Sequence, residues 1–404
     1  MNSKFLILNN SIHKKFLSKT TSYKLNQKFE KIFEAIKKDV KNSRKTLNVL
    51  DNNLHFDFKT KDLKKFKKFK EIAIIGMGGS ILGSEAIYNF FKKKIKKNIF
   101  FFNDINEDNI VNFKKKTLSK ILFIIISKSG NTIETLSNSF SLNIIKKNSK
   151  NVIIISERKN NSLFKICKIM NLFYVEHKNF IGGRYSVLSE VGLVPAHLMG
   201  INIKKLRSQI LDCLKQKNKI FLKQNTVMLA NLMKSKKFNN LIFLNYIPEC
   251  EKFLYWCQQL IAESLGKRNL GFLPVVSNVP KDHHSLLQLY LDGPKDKFFN
   301  IFSFEKKTNV KIFINKSINL KSFLNKKKLT SVKKAQKNAL IKSFKRKKIP
   351  FREIRLKTNN EEVLGKLFSY FILETIIVGK LLNINPFDQP AVEQVKDFTK
   401  KILT

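Results

Sequence analysis

The chain has 404 residues, which is enough for two or three domains. With 43% hydrophobic and 11% aromatic residues it can bury a large core, and with only 14 glycines and 8 prolines it fits neither the disordered nor the collagen-like class. No apolar run reaches the roughly 18 residues of a membrane span, and the apolar run at residues 5–8 is too short for a secretory signal. We therefore expect no membrane partner.

Positive charge is the unusual feature of the composition. The chain carries 78 Lys and Arg against 30 Asp and Glu, a formal net charge of +48. Such a charge can indicate a nucleic-acid partner. However, only 8 of these residues are Arg, on which base recognition mostly depends, and the lysines are spread over the whole chain. We interpret the charge as compositional bias on a solvated surface and predict no nucleic-acid partner.

The four cysteines show no CxxC spacing. This argues against a zinc site or a disulfide framework and is typical of a protein from a reducing compartment. We therefore predict a cytoplasmic location and no metal.

The first 70 residues alternate lysine with apolar residues and predict an N-terminal helical segment. From residue 71 the pattern changes to short, continuous apolar runs at 71–75, 98–102, 121–126 and 151–155. Each run is followed by a segment of helical length. Continuous apolar strands that alternate with helices predict a parallel sheet covered on both faces.

A similar pattern recurs after a helical stretch at 203–236. We predict strands at 241–244, near 299–302 and at 310–314, and helices at 249–265, 331–346 and 360–382, with a terminal helix from Pro390. The predicted fold class is therefore α/β, with two αβα sandwich domains of mainly parallel sheets and helical extensions at both ends. The predicted boundaries are 1–70 for the N-terminal segment, 71–205 and 206–389 for the two domains, and 390–404 for the C-terminal helix.

A glycine-rich turn follows the first predicted strand, as Gly76-Met77-Gly78-Gly79-Ser80. Glycines there allow close backbone approach, and the start of the next helix offers free N–H groups to an anion. The turn is not a P-loop, since Gly83 is followed by Ser84 and Glu85, and it is not a dinucleotide-binding motif, since Ile81 stands where a third glycine is needed. A tight turn without a ligand is an equally good interpretation.

Hydroxyl side chains crowd the turn after the strand 121–126. Ser127, Ser129 and Thr132 lie here beside Lys128 and Gly130. Hydroxyl and N–H groups at the carboxyl end of a parallel strand make a good phosphate cradle, although Thr132 could instead cap the following helix. Two such turns in one sheet favour a phosphorylated small molecule.

Three further segments carry polar groups with less specific patterns. Gln259 and Glu263 share one helical face, but Lys267 follows four residues after Glu263, so spacing alone favours an exposed salt pair. His284 follows His283, and only one of the two could face a site if this piece is extended. Arg184 follows two glycines and could approach an anion or cap a turn.

Taken together and in this order, these pieces resemble the phosphoglucose isomerase family, over residues 76 to 396. The matching pieces are Gly76-Met77-Gly78-Gly79-Ser80, Ser127 to Thr135, Gly182-Gly183-Arg184-Tyr185-Ser186, Glu263-Ser264-Leu265-Gly266-Lys267, His284-Ser285 with Gln288, and Asn385-Pro386-Phe387-Asp388-Gln389-Pro390 followed by Val392-Glu393 and Lys396.

The resemblance implies a two-domain fold of sugar-isomerase type, a homodimer without a cofactor, and reversible conversion of glucose 6-phosphate into fructose 6-phosphate. It implies that Glu263 is the base that moves a proton between C2 and C1, and that Arg184 stabilises the cis-enediol(ate). It also implies that His284, from the partner subunit, and Lys396 assist ring opening. The implied binding residues are Gln259 beside the sugar and, around the phosphate, Gly79, Ser80, Ser127, Lys128, Ser129 and Thr132.

Two alternatives stay open at this point. A bifunctional glucose/mannose-6-phosphate isomerase would share the phosphate turn and the base but tolerate either configuration at C2. A non-enzymatic sugar-phosphate-binding regulator would explain the serine-rich turn and the +48 charge, but it would not need the four implied catalytic residues.

Overall fold

A computed structural model describes residues 6–305, 309–315 and 323–403 of the chain. The strands in these residues are β1 (Leu6–Ser11), β2 (Glu71–Ile75), β3 (Asn98–Phe102), β4 (Ile121–Ile126), β5 (Val152–Ser156), β6 (Phe173–Glu176), β7 (Asn240–Asn245), β8 (Leu273–Asn278), β9 (Lys297–Phe304) and β10 (Phe351–Leu356). The helices are α1 (Lys19–Lys41), α2 (Leu82–Phe91), α3 (Glu107–Lys114), α4 (Ile133–Ser141), α5 (Ser162–Ile169), α6 (Glu190–Leu198), α7 (Ile203–Arg207), α8 (Gln216–Lys234), α9 (Glu251–Leu265), α10 (Leu287–Asp292), α11 (Leu329–Arg346), α12 (Glu361–Leu381) and α13 (Pro390–Leu403).

The strands form two five-stranded sheets. The first sheet has the order β3-β2-β4-β5-β6 and is parallel throughout. In its register, Ile74 of β2 lies between Phe101 of β3 and Ile124 of β4. The second sheet has the order β1-β10-β9-β7-β8, and only the pair of β1 with β10 is antiparallel.

Helices cover both faces of each sheet. One continuous hydrophobic cluster lies between the sheets and joins Ile124 of the first to Phe302 of the second through helices that include α2, α9 and α12. A second hydrophobic cluster, which includes Phe113 of α3, covers the outer face of the first sheet. A third, which includes Phe344 of α11, covers the outer face of the second sheet. Because both faces are buried, the strands can be apolar at consecutive positions. The predicted αβα sandwich class with mainly parallel sheets is confirmed.

The prediction of a helical N-terminal segment is wrong at its start. The strand β1 pairs with β10 and forms one edge of the second sheet, and α1 with several short 3-10 turns follows it. The piece is six residues long, which is too short to show a helical period but long enough to pair as an edge strand. Residues 1–5 of the predicted segment lie outside the described residues.

The predicted strand at 310–314 is also wrong, since this piece makes only an isolated bridge between Lys311 and Lys328. The predicted helix 203–236 is divided into α7, a 3-10 turn and α8. The boundary at 205/206 falls among these helices, after the last strand of the first sheet. Because one hydrophobic cluster spans both sheets, this boundary stays a prediction. The C-terminal helix is present as α13, and Thr404 lies outside the described residues.

Candidate active site

The site forms where the carboxyl ends of β2 and β4 lie side by side. The turn after β2 packs closely on the end of β4, since a Cβ on Gly76 would stand 2.9 Å from the carbonyl oxygen of Ile126. The two predicted turns, 76–80 and 127–132, are therefore neighbours. In an open parallel sheet, ligands bind at this edge of the strands.

The turn after β4 forms a compact group of hydroxyls. The Ser127 side chain is 1% exposed, and its Oγ lies 2.8 Å from the Thr132 Oγ1 and 3.5 Å from the Ser129 Oγ. The Gly130 N–H also donates to the Ser127 Oγ at 3.1 Å. Thr132 is the N-cap of α4 by position, but its hydroxyl bonds to Ser127 and not to the helix backbone. The hydroxyls of the predicted cradle thus lie together in one compact group.

Gly130 is required by the shape of this turn. Its φ is +68°, which L side chains rarely adopt, and a Cβ there would stand 1.8 Å from the Oδ1 of Asn161. The Asn161 side chain in turn caps α5, since its Oδ1 accepts from the Phe164 N–H. The serine-rich turn is therefore held against the start of the next helical unit.

Lys128 gives this turn a positive charge. Its ammonium lies 3.6 Å from the Oε1 of Glu157, a carboxylate just after β5 that also pairs with Lys159. Burial lowers the pKa of Lys128, Lys159 and Arg184 lower it further, and Glu157 opposes this shift. Lys128 therefore places a cation beside the hydroxyls of this turn.

The turn after β2 is wedged between two other elements. Gly78 has a φ of +50°, and a Cβ there would stand 2.7 Å from the Nε2 of Gln259 on α9. A Cβ on Gly79 would stand 2.5 Å from the backbone nitrogen of Arg184. Ser80 closes this turn, since its N–H donates to the Met77 carbonyl at 3.0 Å. The glycines thus bring the turn after β2 to within backbone contact of the segment that carries Arg184.

Arg184 is 3% exposed, and all five of its N–H groups have acceptors. Nε donates to the Ser264 Oγ at 2.8 Å, Nη1 to the Glu263 Oε2 at 3.2 Å and to the Gln389 Oε1, and Nη2 to the carbonyls of Pro386 at 2.6 Å and Asp388 at 3.1 Å. A buried guanidinium with every donor engaged has a fixed position.

Glu263 lies on α9, one turn after Gln259. The two carboxylate oxygens have different partners: Oε1 accepts from the Gln259 Nε2 at 2.9 Å, and Oε2 accepts from Arg184. The Glu263 side chain is 31% exposed, so a ligand can still reach it. The Gln259 Oε1 is buried and has no partner among the described residues. It can accept a hydrogen bond from a ligand hydroxyl.

This arrangement combines three chemical capabilities. A carboxylate in a fixed orientation can accept and return a proton, and the neighbouring guanidinium can stabilise a developing oxyanion. The hydroxyl turn and Lys128 can hold an anionic group of the same ligand. The spacing-based preference for a Glu263–Lys267 salt pair is wrong, because Glu263 pairs with Arg184 and Lys267 pairs with Asp388 at 2.6 Å.

The structure does not bring His284 or Lys396 into this group. His284 is exposed at the end of a 3-10 turn, so the piece is not extended, and His283 lies 3.0 Å from the Tyr246 hydroxyl. Lys396 is exposed on α13 and pairs with Glu393 at 2.7 Å. Within the described part of the chain, neither side chain has a hydrogen bond or ion pair with Glu263 or Arg184.

Sequence analysis missed several residues that shape the site. Ser264 bonds both Arg184 and the Tyr185 hydroxyl, and Gln389 bonds Arg184 from more than 200 positions further along the chain. Both residues belong to segments that carry the family resemblance, which was the available signal. Glu157 had no such signal, because it lies outside every motif.

Comparison with known proteins agrees with the geometry. A family model for phosphoglucose isomerase matches residues 9–271. The chain belongs to the phosphoglucose isomerase family. A relative from Methanococcus maripaludis, named a probable glucose-6-phosphate isomerase, is 34% identical over 94% of this chain and 89% of its own. A glucose-6-phosphate isomerase from Campylobacter jejuni is 30% identical over 89% of this chain and 90% of its own.

Two solved structures share the fold of this chain over 98% or more of its length. A glucose-6-phosphate isomerase from Chlamydia trachomatis aligns with a TM-score of 0.79 and 17% identity, covering 100% of this chain and 89% of its own. A hypothetical protein, TT0462, from Thermus thermophilus aligns with a TM-score of 0.81 and 22% identity, covering 98% of this chain and 100% of its own. At these identities the likeness establishes the fold.

Two further observations concern other classes of protein. Within residues 6–305, 309–315 and 323–403, no helix combines the length and apolarity that a membrane crossing requires. Over the same ranges, no three His, Cys, Asp or Glu side chains are grouped so that they could hold a metal ion.

Proposed function

We propose that this chain interconverts glucose 6-phosphate and fructose 6-phosphate, as a step of glycolysis and gluconeogenesis. The observation that carries the proposal is the Arg184–Glu263 pair, held beside two loops suited to a phosphate. In the open-chain aldose, Glu263 removes the proton from C2, the C1–C2 double bond forms, and negative charge develops on the carbonyl oxygen. Transfer of the O2 hydroxyl proton to O1, together with return of the proton from Glu263 to C1, gives the ketose.

Each neighbour of Glu263 has a distinct part in this proposal. Arg184, whose donors are all engaged by protein acceptors, stabilises the enediolate oxygen through its charge, and as a guanidinium it is a poor competitor for the proton that Glu263 carries. Gln259 fixes the plane of the carboxylate through Oε1 and offers its own unpartnered oxygen to a sugar hydroxyl. The orientation of the base is therefore set by contacts within the protein, which lowers the entropic cost of reaction.

The far end of the substrate binds at the two turns. We assign the phosphate to the backbone of Gly79 and to the side chains of Ser80, Ser127, Lys128, Ser129 and Thr132. Since this anchor lies on the first sheet and the base lies on α9, the sugar would bridge the two. Binding energy at the phosphate can then be used to position C1 and C2 at Glu263.

Ring opening requires groups that this chain alone does not place at Glu263. We propose that Lys396 acts from α13 and that His284 acts on the site of a second copy, in a cytoplasmic homodimer. Support for a protein surface there comes from the exposure of His284 and from Leu289, 46% exposed on the next helix, α10.

The shared site can be tested by complementation. Glu263→Gln and His284→Ala subunits, each inactive alone, would form mixed dimers in which one of the two sites has both Glu263 and His284. Random pairing should then restore about a quarter of the wild-type activity. A mixture that stays inactive, with mixed dimers verified by mass, would contradict the shared site.

The activity itself is tested by one coupled assay. Purified protein is supplied with fructose 6-phosphate, and the glucose 6-phosphate formed is oxidised by an added dehydrogenase, so that NADPH absorbance reports turnover. We expect turnover without added metal or cofactor. A parallel assay with mannose 6-phosphate distinguishes a bifunctional isomerase, and a folded protein that does not turn over fructose 6-phosphate would refute the proposal.

A further inference from the structure

Lys267 is bound entirely by the loop between α12 and α13. Its side chain is 15% exposed, and Nζ donates to the Asn385 carbonyl at 2.5 Å, to the Asp388 carbonyl at 2.6 Å and to the Asp388 Oδ1 at 2.6 Å. An ammonium has three N–H donors, so all of them are used on this loop. The contact also lowers the pKa of the Asp388 carboxyl, mainly through the hydrogen bond from Lys267.

The other side of the same loop holds the guanidinium of Arg184. The Pro386 carbonyl accepts from Arg184 Nη2 at 2.6 Å and from the Tyr185 hydroxyl at 2.7 Å. The Asp388 carbonyl accepts from Arg184 Nη2 at 3.1 Å and from Lys267 at 2.6 Å. One backbone oxygen is therefore shared between the two cations, and the loop lies between them.

The loop has no regular secondary structure to fix its place. An internal bond from Asn385 Nδ2 to Asp388 Oδ2, at 2.7 Å, sets its local shape. That bond does not tie it to α9, which carries Glu263. Lys267 links it directly to the end of α9, and charge-assisted hydrogen bonds of this kind are the stronger class.

We infer that Lys267 is a positioning residue for the isomerisation, which acts on Arg184 through the 385–389 loop. The inference rests on the proposed function and deepens it. Without Lys267 the loop can shift away from α9, and the acceptors that set the guanidinium plane shift with it. The phosphate turns lie on the first sheet and make none of these contacts. The effect should therefore fall on kcat, where the enediolate charge is stabilised, and much less on KM.

The main variant is Lys267→Met, which keeps most of the aliphatic stem and removes the donors. We expect kcat with fructose 6-phosphate to fall roughly ten- to hundredfold, the range expected for a displaced catalytic group, with KM within about threefold of wild type. Lys267→Arg, which can still donate to carbonyls, should recover part of the loss. A wild-type kcat in folded Lys267→Met would overturn the inference.

Arg268 offers a matched control. It is the neighbouring cation, it is exposed, and its Nη1 donates to the Asn383 carbonyl at 3.1 Å, ahead of the 385–389 loop. Arg268→Met should keep the wild-type kcat. An equal loss in both variants would indicate general loosening of the segment and would also overturn the inference.

A double-mutant cycle tests the route through Arg184. Lys267→Met is introduced into wild type and into Arg184→Lys, which lacks the forked donors that the loop orients. If Lys267 acts through Arg184, its effect on kcat should shrink to about twofold in the second background, because interacting sites are non-additive. Equal effects in both backgrounds would contradict the route.

An inactive wild type and an unfolded Lys267→Met variant would have different consequences for the inference. If wild type does not isomerise fructose 6-phosphate, the proposed function fails, and this inference fails with it. If Lys267→Met does not fold, Asp388→Asn replaces it as the test variant. The Asp388 side chain is half exposed, and its substitution weakens the same contact between Lys267 and the 385–389 loop. A fall in its kcat by about threefold or more at unchanged KM would support the inference, and a wild-type kcat would overturn it.

Discussion

Gly79 and Gly183 lie in direct backbone contact, so that a Cβ on Gly79 would stand 2.3 Å from the carbonyl carbon of Gly183. This contact joins the turn after β2 to the segment that carries Arg184. Real Cβ atoms do not approach backbone so closely, and the opposing atoms cannot rotate away as a side chain could. The closeness of the turn after β2 to the segment that carries Arg184 therefore depends on the absence of a side chain at Gly79.

The first prediction follows from this contact. Gly79→Ala should lower the free energy of unfolding by about 1–3 kcal/mol, as overpacking does, and should reduce kcat because the Arg184 backbone is displaced. Gly183→Ala is the matched control for stability, since its Cβ would meet nothing within 4 Å. Chemical denaturation of both variants measures the difference. Equal stability of Gly79→Ala and wild type would contradict the backbone contact.

The second prediction concerns the pH dependence of phosphate binding. Burial lowers the pKa of Lys128, and Glu157 opposes that shift. In Glu157→Gln the pKa of Lys128 should therefore fall further. KM for fructose 6-phosphate should rise with pH as Lys128 loses its proton, and this rise should begin at a lower pH in the variant. Glu34→Gln, on the exposed face of α1, serves as a control. Superimposable KM profiles for Glu157→Gln and wild type would argue against a role for Lys128 in binding.

The third prediction concerns acid stability. Burial lowers the pKa of His177 from 6.5 to about 4, with its Nδ1 3.0 Å from the Lys178 carbonyl. Below pH 6.5 the unfolded chain gains a proton at His177 that the folded chain does not accept, so the free energy of unfolding falls until about pH 4. The fall attributable to this group is about 3 kcal/mol. His177→Phe should lack this part of the pH dependence, whereas the exposed His55→Phe should keep it. Parallel stability curves for His177→Phe and wild type would count against this account.

Much of the fold was predictable because β2, β4 and β5 are buried on both faces and read as unbroken apolar runs. β10 escaped prediction because its sequence includes charged residues at consecutive positions, Arg352 and Glu353. In the fold, Arg352 pairs with Glu374 at 2.5 Å, and Glu353 pairs with Lys337. A buried charge is tolerated only with such a partner, and the partners lie on other elements. β8 escaped because Pro274 interrupts its pattern, which an edge strand can accommodate.

In the candidate site, too, local features could be predicted from the sequence, whereas contacts between distant segments could not. The serine-rich turn is local, so its hydroxyls could be identified from consecutive residues. The Arg184–Glu263 pair joins residues 79 positions apart, and only the family resemblance indicated that they would meet. The contact of Lys267 with the 385–389 loop could not be predicted, because the spacing in the sequence indicated Glu263 as the partner of Lys267. The choice between Asp388 and Glu263 is made by the tertiary position of the 385–389 loop.

The central claim is that Glu263 moves the substrate proton, and the kcat of Glu263→Gln tests it most directly. The amide keeps the shape of the side chain but cannot accept the proton. We expect kcat to fall roughly 10²- to 10⁴-fold, while sorbitol 6-phosphate, which has no carbonyl to isomerise, binds with an affinity within about threefold of wild type. Glu71→Gln, at the opposite end of β2, should leave kcat unchanged. A kcat for Glu263→Gln within tenfold of the wild-type value would contradict the account.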